Sequence, residues 1–316
     1  MSRTIPLVNL STYTQGDKNE KYNFVKKIGQ SFHEIGFVGV IDHGISKNLI
    51  EAFYSASNSF FKLPTDIKKK YEIEGLAGQR GYTSFGKEHA KDSKNADLKE
   101  FFQIGRDPNP KDSDTTDNPS NIFVQEQQNF LQLGKELYNE FERVGNELLK
   151  AIAEYLELPL SYFEEHTQNG NSILRSIYYP PITQEPQSAI RAEQHEDINL
   201  ITLLVGASAG GLQLLDRKGV WQSIETQDNE IVINVGDMLQ RLTNNFLRST
   251  THRVINPPRK EWSKSRLSIP FFLHPKYKMK LDCLPSCVTE QNPIQYPTIT
   301  AGEYLNERLR EIGLLN

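Results

Sequence analysis

The pattern of apolar and polar residues divides the chain into a helical first half and a second half rich in short strands. Apolar residues three or four positions apart predict helices over residues 17–34, 46–61 and 123–156, with a short helix beginning near Leu63. Short apolar runs predict strands over residues 5–10 and 36–41. The apolar stripe of the 123–156 helix indicates that this long helix packs on a sheet.

Beyond Pro159 the pattern becomes that of a β protein. Short apolar runs, mostly separated by Gly, Pro, Asn or Asp, cover residues 173–179, 200–205, 211–215, 231–235, 248–255 and 267–273. Such runs are typical of a sandwich or a jelly-roll barrel. A last helix is predicted over residues 301–314. Residues 75–121 predict a long loop, in which 85–95 and 107–121 are candidate lids over a binding site.

Composition argues against several classes of protein. The chain has 36 Lys and Arg against 40 Asp and Glu, a formal charge of −4, so we expect no nucleic-acid partner. No apolar run approaches the ~20 residues that span a bilayer, and the N-terminus lacks the apolar segment of a signal peptide. Cys283 and Cys287 are too few for a disulfide framework and are interpreted as ordinary thiols. We therefore expect a soluble cytoplasmic protein without a membrane contact, as a monomer or weak homo-oligomer.

Three residues form a candidate metal site. His195 and Asp197 are two positions apart in an extended segment, so their side chains face the same side. His252 lies in another strand-like segment, 55 residues after Asp197. Two imidazoles and one carboxylate, with the other coordination positions open, are typical of non-haem Fe(II) oxygenases. The alternative is a structural zinc site in a non-catalytic β-barrel, although such sites usually have four ligands and favour Cys. The other five histidines are interpreted as surface or packing residues.

Arg266 and Ser268 form a candidate anion site on the last predicted strand. Strand alternation places Arg266, Ser268, Pro270 and Phe272 on one face. A guanidinium that points into an apolar barrel is costly unless an anion accompanies it, and its planar fork matches a carboxylate. Tyr179 could add a hydroxyl donor. The alternative is an ion pair between Arg266 and one of the acidic residues.

With these residues assembled, nearly the whole chain resembles the isopenicillin N synthase-like family of 2-oxoglutarate/Fe(II)-dependent dioxygenases. In the first half the resemblance is carried by residues 5–10, 36–45, 60–64, 81–82 and 97–102. In the second half it is carried by residues 174–175, 178–180, 211–213, 234–239, 243–244 and 248–254. Each segment is unspecific by itself, and their common order makes the resemblance strong. The family usually has Asn two residues before Tyr179, where this chain has Ile177.

The resemblance implies an α+β fold with a mainly β core, a double-stranded β-helix (jelly roll) flanked by helices that include one long helix. Four regions are expected: an N-terminal region over 1–120, a supporting helix and connection over 121–170, the β-helix core over 171–280 and a C-terminal helix over 281–316. The resemblance also implies two sets of site residues. The iron ligands would be His195, Asp197 and His252, and the residues that bind 2-oxoglutarate would be Arg266, Ser268 and Tyr179.

The implied activity is the oxidation of a small molecule by O₂ with Fe(II) and 2-oxoglutarate. Succinate and CO₂ are released, and the substrate is hydroxylated, desaturated or cyclised. The alternative is an Fe(II) oxidase of the same fold that does not use 2-oxoglutarate, as isopenicillin N synthase and aminocyclopropane-carboxylate oxidase are. The candidate substrate contacts are Phe272, Tyr82, Phe101 and Arg191. The last three are expected to flank the mouth of the site, where Arg191 either meets an acidic substrate or is a solvated surface residue.

Overall fold

The computed structural model describes residues 4–89, 96–109, 111, 118–186, 188–206 and 208–315. Within these residues the strands are β1 Leu7–Asn9, β2 Phe37–Ile41, β3 Gly81–Thr83, β4 Glu100–Gly105, β5 Ile173–Tyr179, β6 Ala192–His195, β7 Ile201–Val205, β8 Leu212–Leu215, β9 Trp221–Ser223, β10 Ile231–Val235, β11 His252–Val254 and β12 Arg266–Leu273. The α-helices are α1 Leu10–Thr14, α2 Lys18–Glu34, α3 Lys47–Phe61, α4 Thr65–Lys69, α5 Phe130–Tyr155, α6 Tyr162–Thr167, α7 Asp237–Leu242 and α8 Ala301–Glu311.

The strands form two sheets that pack face to face. The large sheet has the order β1-β2-β10-β7-β12-β5-β4-β3 and the small sheet the order β6-β11-β8-β9. Neighbouring strands are antiparallel except for β1 and β2. Val232 of the large sheet shares an apolar cluster with Leu214 of the small one, and Tyr179 shares another with Val254. The space between the sheets therefore receives every second side chain of the strands on both sides.

The long helix α5 covers the outer face of the large sheet. Phe141 stacks on Phe271 of β12, with ring centroids 5.6 Å apart. Gly145 lets the sheet approach closely, because a Cβ atom at this position would collide with Leu273. Since Phe271 and Leu273 point toward α5, the alternate side chains of β12 point the other way, toward the small sheet. The predicted packing of this helix on a sheet is confirmed.

Helix α2 begins where the sequence predicts. The Asp17 carboxylate accepts hydrogen bonds from the amides of Asn19 and Glu20, and the Glu20 carboxylate accepts one from the Asp17 amide. This reciprocal capping satisfies amides of the first turn that have no partner inside the helix.

The predicted loop over residues 75–121 is partly wrong, because it contains β3 and β4. Strand β4 is buried along its whole length. Its polar residues Glu100 and Gln103 hide the strand pattern, and long-range partners make their burial possible. Glu100 pairs with Lys68 at 2.7 Å, and Gln103 accepts a hydrogen bond from Arg175 at 2.9 Å. The candidate lids lie partly outside the described residues, which leave out 90–95, 110 and 112–117.

Other element boundaries also differ from the prediction. The N-terminal strand is shorter and runs directly into α1. The long helix begins at Phe130 instead of residue 123, because Val124 and Gln127 accept i+3 hydrogen bonds that form separate turns. The predicted strand over 248–255 is reduced to His252–Val254. In the part of the chain that the structure describes, none of the helices combines the length and apolarity that a bilayer crossing requires.

Candidate active site

The two predicted imidazoles and the predicted carboxylate come together between the sheets. Strands β6 and β11 are neighbours, and their register pairs His195 with His252. Asp197 follows two residues after the end of β6. One ligand atom from each residue lies within 4.8 Å of the others. Asp197 oxygens lie 3.9 Å from Nε2 of His195 and 3.8 Å from Nε2 of His252, too far for hydrogen bonds, as expected of groups arranged around one ion.

Backbone carbonyls orient both imidazoles. Nδ1 of His195 lies 2.6 Å from the Glu193 carbonyl oxygen, and Nδ1 of His252 lies 3.1 Å from that of Thr250. An Nδ1–H that donates to a carbonyl leaves Nε2 with its lone pair free for a metal. Burial, and then the proximity of His195, lower the pKa of His252, so its ring is neutral. Both features suit a divalent cation.

The carboxylate of Asp197 is held as an anion. Its Oδ2 accepts hydrogen bonds from Thr202 Oγ1 at 2.6 Å and from Asn234 Nδ2 at 2.8 Å. Burial by itself would raise the pKa of this carboxyl group. The neighbouring His252 and His195 and the two hydrogen bonds outweigh burial, and the pKa lies below its ordinary value. Oδ1 has no such donor among the described side chains and remains available for coordination.

The candidate anion site lies in the same cavity. Arg266 of β12 pairs in register with Tyr179 of β5, and both line the cavity together with Ser268. Arg266 is 2% exposed and donates from Nε to the carbonyl of Ala209 at 3.0 Å. Its Nη1 has no hydrogen-bond partner and no acid pairs with it in the described parts of the chain, so the alternative of an internal ion pair is not observed. A buried guanidinium with an unused nitrogen fits the carboxylate of a bound anion.

One wall of the cavity is apolar. It is formed by side chains of β5, β12 and the C-terminal region around α8, namely Ile177, Phe272, Leu305, Leu309 and Ile312. The volume is about 160 Å³. Helix α8 thus lines the site as well as ending the fold, a role that the sequence did not indicate.

A buried network of charges, which sequence reasoning missed, forms another part of the wall. Lys99 Nζ lies 2.6 Å from Glu88 and 2.7 Å from Asp97, and Arg175 Nη1 lies 3.2 Å from Glu88. Burial opposes ionisation of Glu88, but Arg175 and Lys99 outweigh it and lower its pKa to about 2. Asp97 also accepts a hydrogen bond from the amide of Glu193 in β6, which connects the network to the strand of His195. The only feature of the sequence that could have indicated this network was the charged segment at residues 97–100.

Three aromatic residues were predicted to contact substrate. Phe272 lines the cavity, as strand alternation predicted. Tyr82 and Phe101 are not among the described residues of its wall. The hydroxyl of Tyr82 donates to Glu100 instead, and Phe101 packs its ring against the guanidinium of Arg175, 4.2 Å from the ring centroid. Phe101 therefore packs against a residue of the wall, whereas Tyr82 contacts Glu100, which is not among the described lining residues.

Arg191 was expected at a solvated mouth, and this expectation is wrong. Its side chain is 2% exposed, and its guanidinium lies 5.9 Å from the centre of the Tyr179 ring, at the Arg266 end of the cavity. His274 was interpreted as a surface or packing residue, but its ring lines the cavity, and its Nδ1 has no hydrogen-bond partner among the described residues.

A jelly roll with two imidazoles and one carboxylate beside a buried arginine defines a non-haem iron oxygenase that takes an anionic co-substrate. Two family models match the chain: the non-haem dioxygenase in morphine synthesis N-terminal region over residues 5–126, and the 2OG-Fe(II) oxygenase superfamily over residues 170–275. The chain is 30% identical to Kihadalactone A synthase LFS of Citrus sinensis, over 98% of this chain and 94% of that protein. It is also 30% identical to the 2-oxoglutarate-dependent dioxygenase frbA of Dothideomycetidae sp., over 97% and 96%.

Solved structures agree with this assignment. A putative 2OG-Fe(II) oxygenase family protein from Caulobacter crescentus superposes with a TM-score of 0.88 at 42% identity, covering 98% of this chain and 100% of that one. A full-length Neurospora crassa protein in complex with alpha-KG and thymine superposes with a TM-score of 0.85 at 29% identity, covering 97% and 96%. The chain therefore belongs to the 2OG-Fe(II) oxygenase superfamily. The predicted jelly-roll fold, the enzyme class and the requirement for Fe(II), 2-oxoglutarate and O₂ are confirmed, in preference to an oxidase independent of 2-oxoglutarate or a non-catalytic barrel.

Proposed function

We propose that this oxygenase oxidises a small uncharged molecule in the cavity between its two sheets. The residues that hold Fe(II) are His195, Asp197 and His252. The residues that bind the distal carboxylate of 2-oxoglutarate are Arg266, Ser268 and Tyr179. The observation that carries the proposal is that three converging ligand atoms and a buried arginine with an unused nitrogen line one cavity.

When bound, Fe(II) with 2-oxoglutarate and O₂ supplies the oxidising power to attack a C–H bond, with release of succinate and CO₂. The residues of the chain orient the reactants and exclude water. Arg266 fixes one end of the co-substrate, because it is itself held through Nε by the carbonyl of Ala209. Phe272 and Leu309 present an apolar surface to the substrate, which keeps water away from the reaction.

The charges of the wall favour an uncharged substrate. Apart from Arg266, the Lys and Arg side chains among the described lining residues are Lys99 and Arg175, and carboxylates already pair with both. Burial lowers the pKa of His274 to about 4, so at neutral pH this imidazole is a neutral hydrogen-bonding group. Among the described lining residues, a second anion would therefore meet no uncompensated cation.

One relative supports the same class of substrate. The Neurospora crassa relative was crystallised with alpha-KG and thymine, an uncharged ring that carries hydrogen-bonding groups. Cytoplasmic location, a monomeric or weakly oligomeric state, the absence of a nucleic-acid partner and the four-region division of the chain remain predictions from the sequence.

Anaerobic addition of Fe(II) and then 2-oxoglutarate tests the two sets of binding residues. We expect a visible metal-to-ligand charge-transfer band in the wild type, no band in His252→Ala, and a band only at much higher 2-oxoglutarate in Arg266→Ala. Arg253→Ala is the matched control, because Arg253 follows His252 in β11 but packs on Trp221. Wild-type behaviour of both His252→Ala and Arg266→Ala would refute these roles.

Succinate release tests the substrate class. Thymine and other uncharged heterocycles should stimulate release above the rate without substrate, whereas aromatic carboxylates such as benzoate and indole-3-acetate should not. Stimulation by the carboxylates alone would contradict the proposal of an uncharged substrate.

A further inference from the structure

A second buried arginine lies beside the proposed 2-oxoglutarate anchor. Arg191 and Arg266 are each 2% exposed. The guanidinium carbons lie 5.9 Å and 5.0 Å, respectively, from the centroid of the same ring, that of Tyr179. Two positive charges therefore lie near the same aromatic ring, at one end of the cavity.

Neither arginine forms an ion pair with an acidic residue in the described part of the chain. Arg191 donates from Nη2 to the carbonyl of Lys264 at 3.1 Å, and its Nε has no hydrogen-bond partner there. Burial, followed by repulsion from Arg266, lowers the pKa of Arg191, and the weaker attraction of Glu261 does not offset them. The pair is thus a concentration of positive charge that is costly in the absence of an anion.

The other cations of the cavity wall are compensated. Lys99 pairs with Glu88 and Asp97, and Arg175 pairs with Glu88. Carboxylates therefore neutralise Lys99 and Arg175, whereas the two arginines beside Tyr179 have no paired carboxylate among the residues that the structure describes. A bound carboxylate group would supply the missing negative charge to both arginines.

We propose that Arg191 is a second, longer-range cation for the distal carboxylate of 2-oxoglutarate. Arg266 contacts the carboxylate, and Arg191 raises the positive potential behind Tyr179, so that 2-oxo acids with a second carboxylate are selected. The inference rests on the proposed role of Arg266. Arg191 is not among the described residues that line the cavity, so it is a positioning residue that acts through Tyr179 and through its charge.

The test compares two co-substrates, of which only one carries the distal carboxylate. Dissociation constants for 2-oxoglutarate are measured by anaerobic titration of the charge-transfer band, and those for 2-oxopentanoate in the same way. Arg191→Gln should raise the dissociation constant of 2-oxoglutarate about tenfold, or about 1.4 kcal/mol, and leave that of 2-oxopentanoate unchanged. Arg191→Lys should recover most of the lost affinity because it keeps the charge. Arg191→Met is a second neutral variant if Arg191→Gln does not fold.

Arg259→Gln is the control, because it removes an exposed positive charge that packs on Trp262, close in sequence to the Lys264 carbonyl that Arg191 contacts. This variant should bind 2-oxoglutarate like the wild type. Equal weakening of both 2-oxo acids by the neutral Arg191 variants would mean a structural role only, and unchanged affinity for 2-oxoglutarate would equally overturn the inference. A wild type that binds Fe(II) but forms no band with 2-oxoglutarate would instead refute the proposed function itself.

Discussion

The hydrogen bond from Thr202 to Asp197 offers a sharp test of how the chain prepares its iron site. It is 2.6 Å long and ends on a buried carboxylate. Hydrogen bonds to charged groups contribute about 1.5–3 kcal/mol, and the loss of a partner that orients a metal ligand typically weakens metal binding about 10–100-fold. Asn234 continues to donate to the same oxygen at 2.8 Å. We therefore expect Thr202→Val to weaken Fe(II) binding about tenfold, the lower end of that range.

Anaerobic competition with a chelator measures the Fe(II) affinity of Thr202→Val and of Thr202→Ser, which keeps the hydroxyl. The valine variant should also lose affinity more steeply as the pH falls, because the pKa of Asp197 rises when a donor to its anion is removed. Thr167→Val is a matched control, since this buried hydroxyl donates to a carbonyl within α6. The reasoning is wrong if Thr202→Val binds Fe(II) as tightly as the wild type, or if the control variant loses as much.

Three further predictions concern stability. Burial lowers the pKa of His274 to about 4 from an ordinary 6.5. As the pH falls, the unfolded chain therefore takes up the proton first, and the free energy of unfolding decreases between pH 6.5 and pH 4 by about 3 kcal/mol at most. His274→Leu should flatten this pH dependence in urea unfolding, and an unchanged slope would contradict the prediction. Lys99→Met leaves the buried Glu88 without its closest cation, and thermal unfolding should report a loss of about 3–5 kcal/mol, whereas a loss below about 1 kcal/mol would disagree. Leu309→Ala opens a void beside the cavity and should lower the free energy of unfolding, measured in urea, by about 2–5 kcal/mol. Leu160→Ala, at an exposed position, should change it little. Equal losses in the two variants would rule out the packing role of α8.

The local sequence pattern predicted side-chain orientation correctly where every residue of a strand follows the same alternation between the two faces of the sheet. In β12 the residues Arg266, Ser268 and Phe272 were predicted to share a face, and all three line the cavity. The strand β4 was missed, because Glu100 and Gln103 occupy buried positions that an alternating pattern assigns to apolar residues. Their partners Lys68 and Arg175 are 32 and 72 residues away in the chain, so nothing in the local sequence accounts for the burial.

In the candidate site, too, the sequence predicted part of the geometry and the fold determined the rest. His195 and Asp197 are neighbours in one segment, so the sequence places them close together, but β6 ends at His195, and the position of Asp197 depends on the chain beyond the strand. That His252 joins them depends on the pairing of β11 with β6, which only the folded sheet determines. The position of Arg191 was predicted wrongly, because its surroundings are formed by Tyr179 of β5 and Arg266 of β12, which are distant from it in the sequence.

By itself, the sequence determined the chemistry available to this protein: two imidazoles and an arginine on strands, and a carboxylate two residues beyond the end of β6. The tertiary structure decided which charges remain uncompensated. Carboxylates of the same wall pair with Lys99 and Arg175, while Arg191 and Arg266 have no paired carboxylate in the described chain. The physical reason is that electrostatic compensation depends on distances of a few ångströms between residues that are far apart in the chain, and only the packing of two sheets sets those distances.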